Sequence, residues 1–386
     1  MAKIKKLLAL GLCLCMAAGI TVGCGNSKSS KNGTDSGKNT NDGLSFAFCT
    51  NTLNNTFQSS IDSKLKELCD KDGISYTCLD PDYDLNKQLK NSVTTENICA
   101  LLMFTFLVIY PFVSSRYAIL NMANFLITVI LALSLALIWG YTGIFSYAQA
   151  AFYGIGGYTY AILCKNFVGP DMTLLFLLGG VFAGFLVALI LGYFMFYGGV
   201  NDVYVALVTM CFTLVLETFL AQTAGDQWSI GKARLGGFNG INGIPALSVA
   251  GFQFKYTALY VLVLVLLVVI YTAMRIIEKR NLGYCLLSIR ENRIRSEMFG
   301  YNTAFVQMMI FATSGAIAGL SGVLYTSWGG YIVPTTVGMT QATLPVVLVA
   351  AGGRRNPTAV VVFTLFYLMI SQKLAASGTQ YSLIIL

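Results

Sequence analysis

The stretch from Tyr256 to Ile276, YTALYVLVLVLLVVIYTAMRI, decides the fold. Its only charged residue is Arg275, one position from the end. A helix rises about 1.5 Å per residue, so roughly 20 apolar residues cross the hydrocarbon core of a bilayer. Immediately beyond it the chain turns basic, with Lys279, Arg280, Arg290, Arg293 and Arg295. Lys and Arg accumulate beside spans on the cytoplasmic side, so this loop and the turn at Arg354 and Arg355 are expected to be cytoplasmic. Counting back one span, Ala224 to Phe254 is then external, and its Gly-rich GGFNGINGIP (236–245) faces the side from which a solute arrives.

Outward from this run the pattern repeats. Further apolar runs lie near 98–113, 117–138, 146–163, 174–196, 203–223, 305–327, 341–353 and 358–371. The sequence therefore reads as an all-α polytopic membrane protein with eight or nine membrane segments. The short runs, and those carrying glycine or proline, read as broken or re-entrant helices. The last residues, Tyr-Ser-Leu-Ile-Ile-Leu at 381–386, look like a final span cut short.

Composition agrees and excludes much else. The chain is 56% hydrophobic and 11% charged, with a mean hydropathy of +0.68, more apolar surface than a soluble protein of 386 residues can bury. Histidine is absent, which removes histidine triads, histidine zinc sites and imidazole relays. The ten cysteines form no CxxC pair and read as small apolar packers, so no metal site is expected. A net charge of +8 is explained by the membrane, and no basic groove interleaved with aromatics points to nucleic acid.

The first hundred residues differ in kind. Lys3, Lys5 and Lys6 precede an apolar run, Leu7 to Val22, in the manner of a secretory signal. It closes on Thr21-Val22-Gly23-Cys24 and a Gly/Ser/Asn/Lys tract, so residues 1–24 read as a signal peptide and 25–43 as a flexible polar linker. The closing residues resemble a bacterial lipobox, which implies lipidation of Cys24, although Thr21 stands where such boxes carry Leu. Residues 25–97 hold 8 Lys/Arg against 10 Asp/Glu. Leu44–Cys49 and Ile74–Leu79 alternate like strands, and Phe57, Ile61, Leu65 and Leu68 recur at helical spacing between them. That is one small β-α-β unit, too small to be stable alone.

Residues 44–91 resemble the opening of a periplasmic sugar-binding protein of the ribose/galactose type, whose ligand cleft lies by the positions matching Asn54, Asn55, Thr56 and Phe57. About 50 residues of such a domain, without its second lobe, are not expected to bind sugar. An exported leader would put residue 97 outside, whereas counting spans back puts Ile98 inside. Either one apolar run does not cross, or two pieces of unlike origin join near Asn91.

The most informative polar stretch is RNLGYCLLSIRENRIRSEMFGYN (280–302). Ile289, Arg293 and Ser296 to Glu297 fall near helical spacing, and Gly300 is a natural stop. A short basic helix between two spans suits a soluble partner; a solvated loop that merely fixes topology is the plainer alternative. Gly180 with Gly184, and Gly315 with Gly319, are small-xxx-small pairs read as helix packing. Gly154, Gly156 and Gly157 read as a bend in the third span beside a pathway. Glu217 is a costly residue in an apolar span, either a pathway group or one that snorkels outward. Pro334, Gly338 and Pro345 read as helix breakers near the external face.

Several blocks resemble, in order, the permeases of branched-chain amino acid importers of the ATP-binding-cassette type and their urea and amide relatives. They are LIWGYTGIFSYAQAAFYGIGGYTYAIL (137–163), GGFNGINGIP, SIRENRIRSEMFGYN (288–302) with AFVQMMIFATSGAIAGLSGVLY (304–325), and VAAGGRRNPTAVVV (349–362). The resemblance covers residues 98–386 and implies a multi-pass subunit of the bacterial plasma membrane. Its partners would be ATP-binding subunits, a second related permease, a periplasmic or lipid-anchored binding protein, and membrane lipid. It implies an ATPase-coupling helix carrying Ser288, Ile289, Arg290, Glu291, Asn292, Arg293, Glu297 and Gly300. No GxxxxGK[ST] occurs, so the chain is expected to be no enzyme and to bind no cofactor, ATP being used by the partner. Hydrophobic amino acids are favoured over urea or short amides. A secondary transporter or channel would want intramembrane charge that these spans lack, and a sugar-binding lipoprotein lacks its lobes.

Overall fold

The computed structural model describes residues 45–49, 66–67, 75–79, 85–167, 172–249 and 252–377. The chain divides into two compact units, Met1–Thr105 and Phe106–Leu386. In the first, strands β1 (Ser45–Cys49) and β2 (Ser75–Leu79) pair in parallel, Ser45 against Ser75 and Cys49 against Leu79. Between them Lys66 and Glu67 are helical. The leader, Cys24, the linker and Asn54 to Phe57 lie outside the described residues. Helix α1 (Leu85–Val113) runs without interruption through Asn91 and reaches into the second unit.

The second unit is a helical bundle. After α1 come α2 (Arg116–Leu135), which continues as a π-helical turn Ala136–Gly140, and α3 (Gln149–Asn166). Then follow α4 (Thr173–Gly192), with a second π-helical turn Tyr193–Tyr197, and α5 (Asp202–Gln222). Helix α6 (Thr257–Lys279) leads to two short helices, α7 (Asn281–Glu291) and α8 (Arg293–Met298). The bundle closes with α9 (Thr303–Gly329), α10 (Met339–Gly352) and α11 (Pro357–Ser377). Among the described residues eight helical segments are long and apolar enough to cross a membrane; α3 is not one of them. Its glycines, tyrosines and Gln149 are compatible with membrane depth because protein surrounds them: Gly154, Gly156 and Tyr160 are all buried.

Helices α3, α4 and α9 interlock through glycine. A methyl group on Gly156 would stand 2.3 Å from the Gly319 carbonyl oxygen, and one on Gly184 2.7 Å from that of Gly315. On Gly322 it would reach 1.8 Å from the oxygen of Tyr153. In lipid, where no hydrophobic force draws helices together, such backbone approach supplies the dispersion that does. A buried polar knot fastens α2 to this trio: Gln149 donates to the Ser314 hydroxyl at 2.9 Å, and Ser134 donates to the Gln149 oxygen at 2.9 Å. Ser314 in turn donates to the Ser134 carbonyl at 2.8 Å, leaving every member of the knot bonded.

Contacts fix the two ends of the bundle. At one end lies the segment between α5 and α6, with small ribbons β3 (Ser229–Ile230) and β4 (Ala233–Arg234), and β6 (Ser248–Val249) and β7 (Phe252–Gln253). There β5 (Ile241–Asn242) pairs antiparallel with β8 (Tyr331–Ile332) beyond α9. Asn166 donates to the Ile230 carbonyl, and Thr173 to that of Ser248. Lys232, in the sequence Gly-Lys-Ala, sits in the β3–β4 turn. At the other, basic end lie α7, α8, the π-turns and the Gly353–Asn356 turn.

Candidate functional site: docking helices and two half-spans

The polar stretch after α6 is two helices rather than one. Asn292 is extended (φ −159°, ψ 104°), and its side chain accepts from the Arg295 amide at 3.0 Å, capping α8. The short Asn side chain competes for the backbone and breaks the helix where periodicity alone predicts continuity. Helix α8 ends on Gly300 at φ +86°, with Gly300 N–H on the Glu297 carbonyl and Tyr301 N–H on that of Ser296. Those two bonds are a Schellman stop, which glycine forms without a β-carbon penalty. The Ser296 hydroxyl, buried, donates to Ser288 at 3.1 Å and ties α8 onto α7. Glu297 accepts from Thr303 and pairs with Arg293 at 3.3 Å. The Thr303 hydroxyl, with Arg293, holds the Glu297 carboxyl below the usual carboxylate range. Ile289 is buried, while Ile294, Met298 and Phe299 stand 66%, 80% and 81% exposed. This is an apolar tip on a basic, water-facing element.

Arg290 points the other way. Its Nη1 donates to the Gly140 carbonyl at 2.8 Å, at the end of the first π-turn. Its stem lies against Gly143, where a β-carbon would stand 3.0 Å from Cγ at a backbone φ of +79°. A methyl on Gly140 would meet the Arg354 carbonyl oxygen at 2.1 Å, and the Arg354 guanidinium lies 5.6 Å over the Trp139 ring. Burial, then the neighbouring Arg355 and Arg354, lowers the pKa of Arg290. Glu291 pairs with Arg355 at 3.3 Å, both well exposed. Arg293 also reaches the Phe196 carbonyl in the second π-turn, at a long 3.4 Å.

Beyond Thr142 the backbone leaves the helix and turns back inside the bundle. The Tyr147 amide donates to the Thr209 hydroxyl at 3.1 Å, and the Thr213 hydroxyl donates to the Tyr147 carbonyl at 3.3 Å. Thr209 and Thr213 lie in the middle of α5, so irregular backbone sits at membrane depth where protein covers it. Helix α3 then starts at Gln149 and not near the run's beginning at 146. Ser146, which bonds the Ala148 amide at 3.1 Å, is the local signal of that late start.

A second break enters from the opposite end. Pro334 opens a short 3-10 turn, Pro334–Thr336, and Gly338 precedes α10. Pro345, expected to break the helix, instead lies inside α10. At 14 residues α10 alone spans about 21 Å, short of the roughly 30 Å hydrocarbon core, and it counts among the eight candidate spans only together with the turn from Pro334. The Val337 side chain packs directly on Gly154, where a β-carbon would be 2.2 Å from it. Gly154 lies roughly 18 Å along α3 from its end at Asn166. Glu217 of α5 reaches the same place, its Oε1 2.5 Å from where a β-carbon on Gly338 would stand. The turn that enters α10 thus meets α3 within two turns of its start, next to α5.

A model of the branched-chain amino acid transport system permease component family matches residues 118 to 386. The chain belongs to that family. It is 24% identical over 329 residues to the high-affinity branched-chain amino acid transport system permease protein LivM of Escherichia coli K12, covering 77% of this chain and 73% of the relative. The counterpart from Salmonella typhimurium LT2 is 25% identical over 324 residues with the same coverage. No solved structure matches the chain. It is therefore a permease subunit of an ATP-binding-cassette importer, a multi-pass transport subunit of the bacterial inner membrane.

In this permease the three α3 glycines do not interrupt the helix. The helix is continuous through Gly154, Gly156 and Gly157, and each faces a packed neighbour: Val337, Gly319, and Ile332 with Thr326. Glu217 is half-buried against Gly338 rather than reaching outward alone. Sequence reasoning missed Gly140, Gly143, Thr209, Thr213 and Val337. Their partners lie far away in the chain, and only the Thr-x-x-x-Thr spacing on α5 marks a hydroxyl stripe in an apolar helix.

Proposed function

We propose that this permease carries branched-chain amino acids from a binding protein across the membrane, driven by separate ATP-binding subunits and completed by a second, related permease. The meeting of two half-spans beside Glu217 carries this reading. Helix N-termini concentrate positive backbone dipole, and a carboxyl group next to them offers the opposite charge. An amino acid presents both a carboxylate and an ammonium, and its aliphatic side chain suits Val337. Lipidation of Cys24 adds a membrane anchor in this reading. Helices α7 and α8 supply the docking element, with the apolar tip of Ile294, Met298 and Phe299 against the partner. The chain contributes no nucleotide pocket or cofactor of its own in this reading; ATP is the partner's.

The test is uptake of labelled leucine by membranes containing the full transporter. Glu217→Gln should raise the KM for uptake about tenfold or more, with the ATP-binding subunits still bound. Val337→Trp should abolish uptake by filling the meeting point. Uptake unchanged in both variants would remove the half-spans from the pathway.

A further inference from the structure

We infer that Arg290 is the positioning residue that carries movement of the docking helices to the broken span at Gly143–Ala148. The inference rests on the reading of α7 and α8 as the docking element and says where their motion goes. Four observations converge on one corner of the basic end. The Arg290 guanidinium binds the Gly140 carbonyl at 2.8 Å, whereas its neighbours in α7 are held within α7 and α8 or by the rim: Ser288 bonds Ser296, and Glu291 pairs with the exposed Arg355. The Arg290 stem lies along Gly143, so the side chain grips both sides of the turn that begins the break.

The grip falls on a yielding part of the span. Ala136–Gly140 is a π-helical turn, a winding that accommodates one extra residue and can revert to α-helix with a register change of that residue. Past the turn, Tyr147 bonds Thr209 and Thr213 of α5, and α3 starts two residues later. Displacement of Arg290 is therefore handed to Gly140 and into the irregular segment, as far as the start of α3. By contrast, α3, α4 and α9 are locked backbone to backbone by their glycines, so motion follows the segment and not the frame. The guanidinium can do this because it is charged, planar and rigid, and holds a carbonyl at fixed distance.

The experiment uses the full chain in membranes with its ATP-binding subunits, in a background where native cysteines are replaced. Phe145→Cys, in the irregular segment, reports thiol-labelling rate with and without a non-hydrolysable ATP analogue. With Arg290 present, the analogue should change the rate at least threefold. Arg290→Gln should abolish that change while the ATP-binding subunits still co-purify and the melting temperature holds; Arg290→Lys should keep part of it. Gly143→Ala, which crowds the Arg290 stem, should reduce the change with Arg290 intact. An undiminished change in Arg290→Gln overturns the inference, and so does no change in the parent. Loss of the ATP-binding subunits in Arg290→Gln would make Arg290 a docking contact, overturning the inference while leaving the docking reading. A parent chain that retains no ATP-binding subunit would instead remove the docking reading itself.

Discussion

Single glycines set how closely this bundle packs, and the cost of altering them can be ranked. Gly156→Ala places a methyl 2.3 Å from a backbone oxygen of α9, which cannot step aside, whereas Gly179→Ala meets only the far end of Leu163 at 2.9 Å. We expect the first to cost about 1–3 kcal/mol, as overpacked sites do. The second should cost a few tenths, near the scatter of tolerated substitutions. Melting temperatures of the two variants in one detergent decide it; equal values would mean that α3 and α9 can separate freely. At this scale the sequence was legible in part. The small-xxx-small pairs on α4 and α9 announced close packing, and Gly184 does meet Gly315 and Gly319. What spacing cannot tell is that Gly154 serves a third element: its neighbour Val337 lies far along the chain, and nothing local to Gly154 registers it.

Among the elements, α7 and α8 illustrate how a short polar side chain redirects a helix. Asn292 splits what spacing reads as one helix, and the split turns the Met298–Phe299 tip outward while Ser296 stays buried against Ser288. If the tip docks a partner, Met298→Asp with Phe299→Asp should release the ATP-binding subunits on purification. The melting temperature should hold, since both side chains are more than three-quarters exposed. Retained subunits would mean that the contact lies elsewhere. The apolar runs located the spans well because each is a long local signal. The break before α3 runs past 146, where the apolar run starts: Ala148 and Ala150 continue the apolar pattern, and the tertiary bonds to Thr209 and Thr213 override it. Pro345 erred in the opposite direction: within a short helix, one missing amide was tolerated.

For the whole second unit, the bundle has one end rich in arginine and another made of short ribbons, and the positive charges predict which is cytoplasmic. Met298→Cys and Asp226→Cys, both in exposed places, should label from opposite sides of the membrane, Met298→Cys from within. Labelling of both from one side would contradict the bundle's two-ended layout. The alternation of runs and charges was enough to anticipate this layout. The first unit, which holds the parallel β1–β2 pair, ends at Thr105, whereas the composition of the sequence changes near residue 97.

The amide of Gln149 binds a serine 165 positions later in the chain. A ribosome adds roughly 5–20 residues per second, so the partner emerges on the order of ten seconds after Gln149. For that interval the glutamine nitrogen and the open backbone before it have no finished helix bundle to receive them, and hydrocarbon penalises both. The broken span of the mature protein is thus, during its own synthesis, a segment that the insertion machinery must shelter until α9 arrives.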